Sequence, residues 1–373
     1  MPAEYGRGLQ KETAMPDVYE RLRERLDMFP QGFPKTESGV ELEVLQHLFT
    51  PEKAEIMLNL HPYPEKLSAI AQRVGKDEKE LGEILYSMSR RGLIMRYRAP
   101  DEEIYYFLMP WMVGIWEFQL NNMTQEDIEL YERFYQEGMV PSWRKTKTGG
   151  FRAIPVEKEI QGNTEVQPYE KVSQIVESHT KFAVADCICR KESRMLGKGC
   201  DKLLEACMSF GPAADFYIEN GLGREISKEE AKKILLKAEE SGLIHFSSNH
   251  AGNKIFICNC CGCCCKALAS ITKYDSPGFI VRSNYYATKD ADTCITCLVC
   301  VDRCQVNAIR IENDLTIIDR ARCIGCGLCV STCPTGSISM VSKTPDEASA
   351  IFSNEREMLQ AIGKEKGKEY PFK

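Results

Sequence analysis

The first quarter of the chain has the apolar spacing of amphipathic helices. Val18, Leu22, Leu26 and Phe29 lie three or four residues apart, and Pro30 ends this pattern. Similar patterns follow, divided by Thr50-Pro51 and by Gly75. The spacing predicts five helices, over 18–29, 40–49, 51–60, 65–74 and 77–91.

Two short segments with strand character come after these helices. Residues 93–95 and 104–107 are rich in apolar and aromatic side chains and flank a polar turn over 99–103. Three helices followed by a hairpin is the element order of a winged helix. The pattern therefore predicts a helical, winged-helix-like domain over 1–122.

The charge on the helix that would read DNA argues against DNA binding. Base contacts come from the N-terminal part of that helix, and a duplex would repel its carboxylates, which are Asp77, Glu78, Glu80 and Glu83. The basic residues lie at its far end and on the wing, at Arg90, Arg91, Arg96 and Arg98. We interpret the domain as a unit for protein docking or dimerisation.

The hydrophobic pattern weakens in the next region, 123–170, which we interpret as a helix and a linker. Residues 139–169 are rich in Pro, Gly, Thr and Lys, and only Phe151–Val156 has strand character. A helix over 172–181 then leads into Cys187. A capped helix from Ser227 to Ser241 and a hairpin of 243–246 and 255–257 complete a Cys-rich middle domain over 171–275.

Two further features of the sequence bear on where the protein is located. The 373 residues carry a net charge of −6, and the N-terminus lacks an apolar signal-like segment. The longest uncharged stretch, 104–116, is shorter than the roughly twenty residues that a membrane-spanning helix needs. We therefore expect a cytoplasmic protein without a membrane span.

The cysteines determine the interpretation of this sequence more than any other residue type. There are 18 of them, and all lie between Cys187 and Cys333. The spacing C-x2-C-x2-C-x3-C occurs twice, and three thiolates from one such tight loop can reach three irons of a cubane. The first copy is Cys294, Cys297, Cys300 and Cys304; the second is Cys323, Cys326, Cys329 and Cys333.

In this arrangement the fourth cysteine of each copy binds the other copy's cluster. We therefore assign cluster 1 to Cys294, Cys297, Cys300 and Cys333, and cluster 2 to Cys323, Cys326, Cys329 and Cys304. Residues 308–311 and 337–340 occupy matching places after the two copies and are expected to form paired strands. A four-cysteine zinc site would need two pairs with a long spacer, which the repeat lacks.

Residues from about 290 to 342 resemble the bacterial two-[4Fe-4S] ferredoxin family, and this resemblance implies that the pair of clusters passes single electrons. Gln305 departs from the family, which commonly has proline after the first copy's last cysteine. We place this ferredoxin module at 285–342 and a C-terminal helix and tail at 343–373.

Ten further cysteines match no cluster spacing. They are Cys187, Cys189, Cys200, Cys207, Cys258, Cys260, Cys261, Cys263, Cys264 and Cys265. We expect at least one additional iron-sulfur cluster with unknown ligand connectivity; the alternative is a zinc site with buried free thiols. Arg190 and Arg224 are candidates to balance a cluster's negative charge. The simpler interpretation is that each arginine forms an ordinary salt bridge.

Over a wider span the chain resembles a family of 4Fe-4S-binding ferredoxin-like proteins of anaerobes. This resemblance implies anaerobic electron transfer and a further metal site, but no substrate. The matching segments are 151–156, 168–172, 187–190, 199–201, 207–211, 223–227 and 258–265.

These observations predict an α+β multidomain protein that relays low-potential electrons between a donor and an oxidoreductase in anaerobic metabolism. Its partners would be redox proteins such as an oxidoreductase or a flavoprotein. The sequence also allows a homo-oligomer. We favour an electron carrier or electron-transfer subunit over a stand-alone enzyme, and no catalytic residue is identified. The alternatives are a redox-sensing winged-helix regulator and an iron-sulfur reductase with its catalytic centre in the middle domain.

Overall fold

A computed structural model describes residues 17–99, 102–160, 170–274, 280–349 and 351–368. The remaining residues, which include the extreme N-terminus, the whole polar stretch 161–169, residues 275–279 and the tip of the turn over 99–103, lie outside the described residues. No helix among those described is both long and apolar enough to cross a bilayer.

The N-terminal region contains five helices and a small antiparallel sheet. The helices are α1 (Val18–Asp27), α2 (Val40–Leu48), α3 (Pro51–Leu58), α4 (Leu67–Val74) and α5 (Glu78–Arg90). The strands are β1 (Glu65–Lys66), β2 (Met95–Arg98) and β3 (Ile104–Phe107), in the order β1-β3-β2. The hairpin β2-β3 agrees with the sequence pattern; β1 was not predicted, because two residues are too short to show a period.

Side-chain caps fix the starts of two of these helices. The Thr50 hydroxyl accepts a hydrogen bond from the Lys53 N–H, and the Asp77 carboxylate accepts bonds from Lys79 and Glu80. Inward-facing side chains such as Leu22, Val44 and Leu85 are fully buried in one apolar core. Three further helices extend this core: α6 (Trp116–Phe118), α7 (Gln125–Phe134) and α8 (Val140–Trp143).

A seven-stranded sheet forms the centre of the middle region. Its strands are β4 (Phe151–Ile154), β5 (Phe182–Asp186), β6 (Glu205–Phe210), β7 (Gly223–Glu225), β8 (Ile244–Ser248), β9 (Phe256–Cys260) and β10 (Ile280–Val281). Their order is β10-β4-β8-β9-β6-β5-β7, and neighbours are antiparallel except β10 and β4. The strand-like piece that we placed in a linker is thus β4, an inner strand of the sheet.

Helices cover both faces of this sheet. They are α9 (Val172–Glu177), α10 (Ile188–Met195), α11 (Pro212–Glu219), α12 (Lys228–Glu240) and α13 (Lys266–Thr272). We expected one helix over 172–181 to lead directly into Cys187, but α9 ends at Glu177 and β5 intervenes. The reason is the apolar run Phe182–Ala185, which is buried on both faces as a central strand requires.

The C-terminal region contains two antiparallel strand pairs. Its elements are β11 (Tyr285–Lys289), α14 (Val299–Arg303), β12 (Ile309–Glu312), β13 (Leu315–Ile318), β14 (Ile338–Ser342) and α15 (Glu355–Glu365). We had expected the strands after the two cysteine repeats to pair with each other, but they do not. Instead each of them pairs with the strand that precedes the other repeat: β12 pairs with β13, and β14 pairs with β11.

A buried ion cluster connects the N-terminal helices to the Cys-rich region. The Lys266 ammonium lies 2.7 Å from the Glu132 carboxylate and 2.8 Å from the Glu192 carboxylate, and Glu192 is 1% exposed. The Trp116 indole N–H donates to Glu192, and the Tyr135 hydroxyl donates to the Lys266 carbonyl. The cluster therefore fixes α7, α10 and α13 to one another.

Replacing Lys266, the cation of this cluster, tests how much the cluster contributes to stability. We expect Lys266→Met to lower the free energy of unfolding by about 3 kcal/mol, because two carboxylates would then share a buried site without a counter-charge. The measurement is chemical denaturation without oxygen. The control is Lys237→Met at an exposed position of α12, which we expect to change the free energy of unfolding by about 0.5 kcal/mol or less. Equal effects of the two substitutions would contradict this assignment.

Candidate metal centres

Two small cavities in the region 285–342 are each lined by four thiols. Three thiols come from one repeat and the fourth from the other repeat. One cavity is lined by Cys294, Cys297, Cys300 and Cys333, and the other by Cys323, Cys326, Cys329 and Cys304.

The two repeats share an unusual backbone conformation. The residues on either side of the second cysteine have left-handed φ values, which are 51° and 67° at Thr296 and Leu298 and 69° and 78° at Gly325 and Gly327. This conformation curls the loop tightly around its cavity. Glycine is required at 325 for a second reason, since a Cβ there would fall 2.1 Å from the Tyr285 carbonyl oxygen.

The two cavities differ in their exposure. Cys297 is exposed, and the neighbouring Ile295 keeps 64% of its surface in solvent. The other cavity lies against the segment that follows β4, where the Val156 N–H donates to the Cys326 carbonyl at 2.9 Å. Burial raises the pKa of the Cys326 thiol to about 12, so a metal that binds there must displace its proton.

Six of the ten central cysteines form a closed ring of neighbouring thiols. Each thiol lies close enough to the next for the two to shift each other's pKa, in the order Cys187, Cys189, Cys265, Cys260, Cys258, Cys207 and back to Cys187. We refer to this group as the six-thiol ring. The ring has little contact with solvent: Cys187, Cys260 and Cys265 are buried, and the other three cysteines are partly buried.

The sheet register explains why these six thiols converge. Cys258 and Cys260 lie two residues apart in β9, so their side chains leave the same face of the sheet. In the antiparallel partner β6, Met208 is opposite Ile257, which places Cys207 beside Cys258. Cys187 follows β5 at the same end of the sheet, and the first turn of α10 adds Cys189.

The remaining four central cysteines form a second group. The sulfur atoms of Cys200, Cys261, Cys263 and Cys264 all lie within 4.8 Å of one another. We refer to this group as the four-thiol group. It forms because the chain leaves β9 at Cys260 and turns through Gly262 toward the loop that carries Cys200. Sequence spacing did not predict this division of the ten thiols, because Cys200 is 61 residues from Cys261 and only the fold brings them together.

Arg190 lies between these two groups, whereas Arg224 does not. The Arg190 side chain is fully buried; it donates to the Asn259 carbonyl at 3.0 Å and approaches the Cys261 sulfur at 3.6 Å. It therefore supplies a positive charge beside the thiols. Arg224 is exposed and forms salt bridges with Glu205 and Glu230, as an ordinary surface arginine does.

Gln305, the residue that departs from the ferredoxin pattern, contacts the Cys-rich loop. Its side-chain oxygen accepts a hydrogen bond from the Gly262 N–H at 2.9 Å. A Cβ on Gly262 would lie 2.0 Å from the Gln305 carbonyl oxygen, so only glycine fits there. Because Gln305 follows Cys304, this contact brings the cavity of Cys304 next to the central thiols.

A substitution at Gly262 tests this contact. We expect Gly262→Ala to lower the free energy of unfolding by about 1–3 kcal/mol, because the added methyl group must push the two backbones apart. The control is Gly82→Ala in α5, where a Cβ would meet only the flexible Leu67 side chain and alanine favours the helix by up to about 1 kcal/mol. Anaerobic denaturation of both variants measures the difference, and a neutral Gly262→Ala would contradict the contact.

Comparison with known protein families agrees with the geometry of the C-terminal region. The family described as "4Fe-4S binding domain" matches residues 287–310 and residues 316–339, one match for each cysteine repeat. No curated protein and no solved structure matches the chain. The two matches support binding of 4Fe-4S clusters by the ferredoxin-like module and an electron-transfer function for it.

Proposed function

We propose that the protein relays low-potential electrons between a donor and an oxidoreductase in anaerobic metabolism. Cluster 1 would be held by Cys294, Cys297, Cys300 and Cys333, and cluster 2 by Cys323, Cys326, Cys329 and Cys304. The observation that carries this proposal is that two cavities, built by a repeated loop, are each lined by four thiols in this crossed combination. A bound cubane supplies a reversible one-electron carrier in each cavity.

The difference in exposure suggests how electrons enter and leave. Near the cavity of cluster 1, Ile295 and Val299 are exposed apolar side chains, which suit a weak, transient contact with an oxidoreductase or a flavoprotein. The cavity of cluster 2 faces the interior, where Gln305 contacts the Cys-rich loop. The module would therefore conduct between a partner at the surface and a metal centre inside the protein.

The six-thiol ring is the candidate for that internal centre. It offers more thiolates than one cubane uses, and the buried Arg190 is close enough to Cys187 and Cys207 to offset part of their negative charge. We propose at least one additional iron-sulfur cluster there; zinc is the alternative metal for sulfur ligands. We propose a cytoplasmic location, because thiols that bind metal must stay reduced.

The alternative of a winged-helix regulator receives less support from side-chain contacts. Its four candidate phosphate-binding arginines all have partners within the chain: Arg90 contacts the Glu219 carbonyl, Arg91 contacts Asn122, and Arg96 and Arg98 pair with Glu219. The three contacts with Glu219 attach the N-terminal region to α11. We therefore propose that this region is winged-helix-like but serves protein contacts, within the chain or in a homo-oligomer, rather than DNA.

One cavity favours the reductase as the second candidate function. It measures about 300 Å³, has a largely apolar lining that includes Met112, Tyr217 and Phe256, and lies between the N-terminal helices and the sheet. Tyr217 is close enough to the thiols of Cys207 and Cys258 for their charge to act on it. A small apolar substrate in this cavity would lie near the six-thiol ring.

Filling the cavity tests the reductase alternative. If a small molecule accepts electrons there, the reduced protein will be reoxidised in its presence, and Ala213→Trp will slow this reoxidation at least tenfold because the indole occupies the cavity. The EPR spectrum of the reduced clusters serves as the control and should not change. Reoxidation at the same rate in both proteins would exclude the cavity as the site.

The metal content tests the relay directly. After anaerobic purification we expect at least about eight irons and eight inorganic sulfides per chain, the content of two cubanes. Iron and sulfide analysis provides the measurement. Fewer than about eight irons, with zinc present instead, would contradict the proposal.

The crossed ligand assignment predicts which thiols each substitution releases. In Cys333→Ser, we expect cluster 1 to be impaired, so that Cys294, Cys297 and Cys300 become accessible to an alkylating reagent while the thiols of cluster 2 stay protected. Cys304→Ser should release Cys323, Cys326 and Cys329 instead. Anaerobic alkylation followed by peptide mass spectrometry distinguishes the two patterns, and release of thiols within the substituted repeat would show that the ligands are not crossed.

A further inference from the structure

We infer that the four-thiol group, Cys200, Cys261, Cys263 and Cys264, binds a single metal ion in a tetrahedral thiolate site. This site is separate from the ferredoxin clusters and from the six-thiol ring. It does not depend on the proposed electron relay, because its ligands are not shared with either cavity of the ferredoxin-like module.

The spacing of the sulfur atoms fits one ion rather than a cubane. The Cys200 sulfur lies 3.9 Å from that of Cys261 and 3.7 Å from that of Cys264, and the Cys264 and Cys263 sulfurs are 3.7 Å apart. Four sulfurs at 2.3 Å from a central metal ion form a tetrahedron with edges of about 3.8 Å. In a cubane each thiolate binds a different iron, so the four iron atoms hold the thiolates further apart.

The surroundings also suit a metal ion with four thiolate ligands. Such a site carries a net charge of −2 with a divalent ion, and the fully buried Arg190 donates toward the Cys261 sulfur from 3.6 Å. The loop of Cys200 is held by Arg194, which donates to the Cys200 carbonyl at 2.8 Å and to the Lys202 carbonyl at 2.9 Å. These contacts orient two segments of chain that supply the ligands.

The position of the site indicates what the ion does. It joins the loop after α10 to the turn after β9, and that turn also contains Gly262, the contact point for Gln305. The flanking residues Cys260 and Cys265 belong to the six-thiol ring. One ion would therefore fix the loop on which both the ring and the contact with the ferredoxin-like module depend. Zinc and iron(II) both accept this ligand set.

Metal analysis of the full chain, purified without oxygen, tests the inference. In Cys263→Ser, which replaces the exposed ligand, we expect the loss of one metal ion per chain without loss of inorganic sulfide. The lost ion would be either zinc or an iron with the Mössbauer signature of a mononuclear tetrahedral thiolate site. Either identity supports the inference, because both are single ions.

The matched control is Cys297→Ser, an exposed cysteine of the cluster 1 cavity, which should lower iron and sulfide together. A second measurement covers the case in which Cys263→Ser fails to fold. In the unsubstituted protein, total zinc plus iron should exceed sulfide by at least one atom per chain, since a cubane contains iron and sulfide in equal numbers. Joint loss of about four irons and four sulfides in Cys263→Ser, no change in metal content, or equal metal and sulfide in the unsubstituted protein would overturn the inference.

Discussion

The burial of many thiols in close contact is the constraint on which the rest of this structure depends. Thiolates bind metals only after losing their protons, and several adjacent thiolates repel one another in a low-dielectric interior. Only a cation can compensate such a group, and Arg190 supplies a single positive charge. If the central thiols bind metal as we propose, the metal supplies the remaining positive charge, and metal binding and the fold of the middle region are then coupled.

The protein brings its thiols together in two different ways. In the ferredoxin-like module, local sequence does so, because two-residue gaps and left-handed backbone at Thr296, Leu298, Gly325 and Gly327 curl each loop around one cavity. In the middle region, strand pairing does so, because β5 and β9 end at the edge of the sheet where β6 begins, which brings cysteines from distant parts of the chain together. The contact of Gly262 with Gln305 then places the two kinds of site next to each other.

This difference explains what the sequence could and could not predict. The cysteine repeats, the first five helices and the hairpins β2-β3 and β8-β9 were visible because each depends on residues close together in the chain. The role of β4 was missed, because four residues inside a polar, glycine-containing stretch give too weak a periodic signal. The division of the ten central cysteines into six and four was also missed, because it depends on strand register and on Cys200 meeting Cys261 across the fold.

EPR spectroscopy of the anaerobically purified protein after reduction with dithionite tests the central claim most directly. Two [4Fe-4S] clusters in adjacent cavities of one module should each accept one electron and become paramagnetic, and their proximity should split or broaden the signals through magnetic coupling. A colourless preparation that contains zinc and gives no reducible paramagnetic centre would contradict the account.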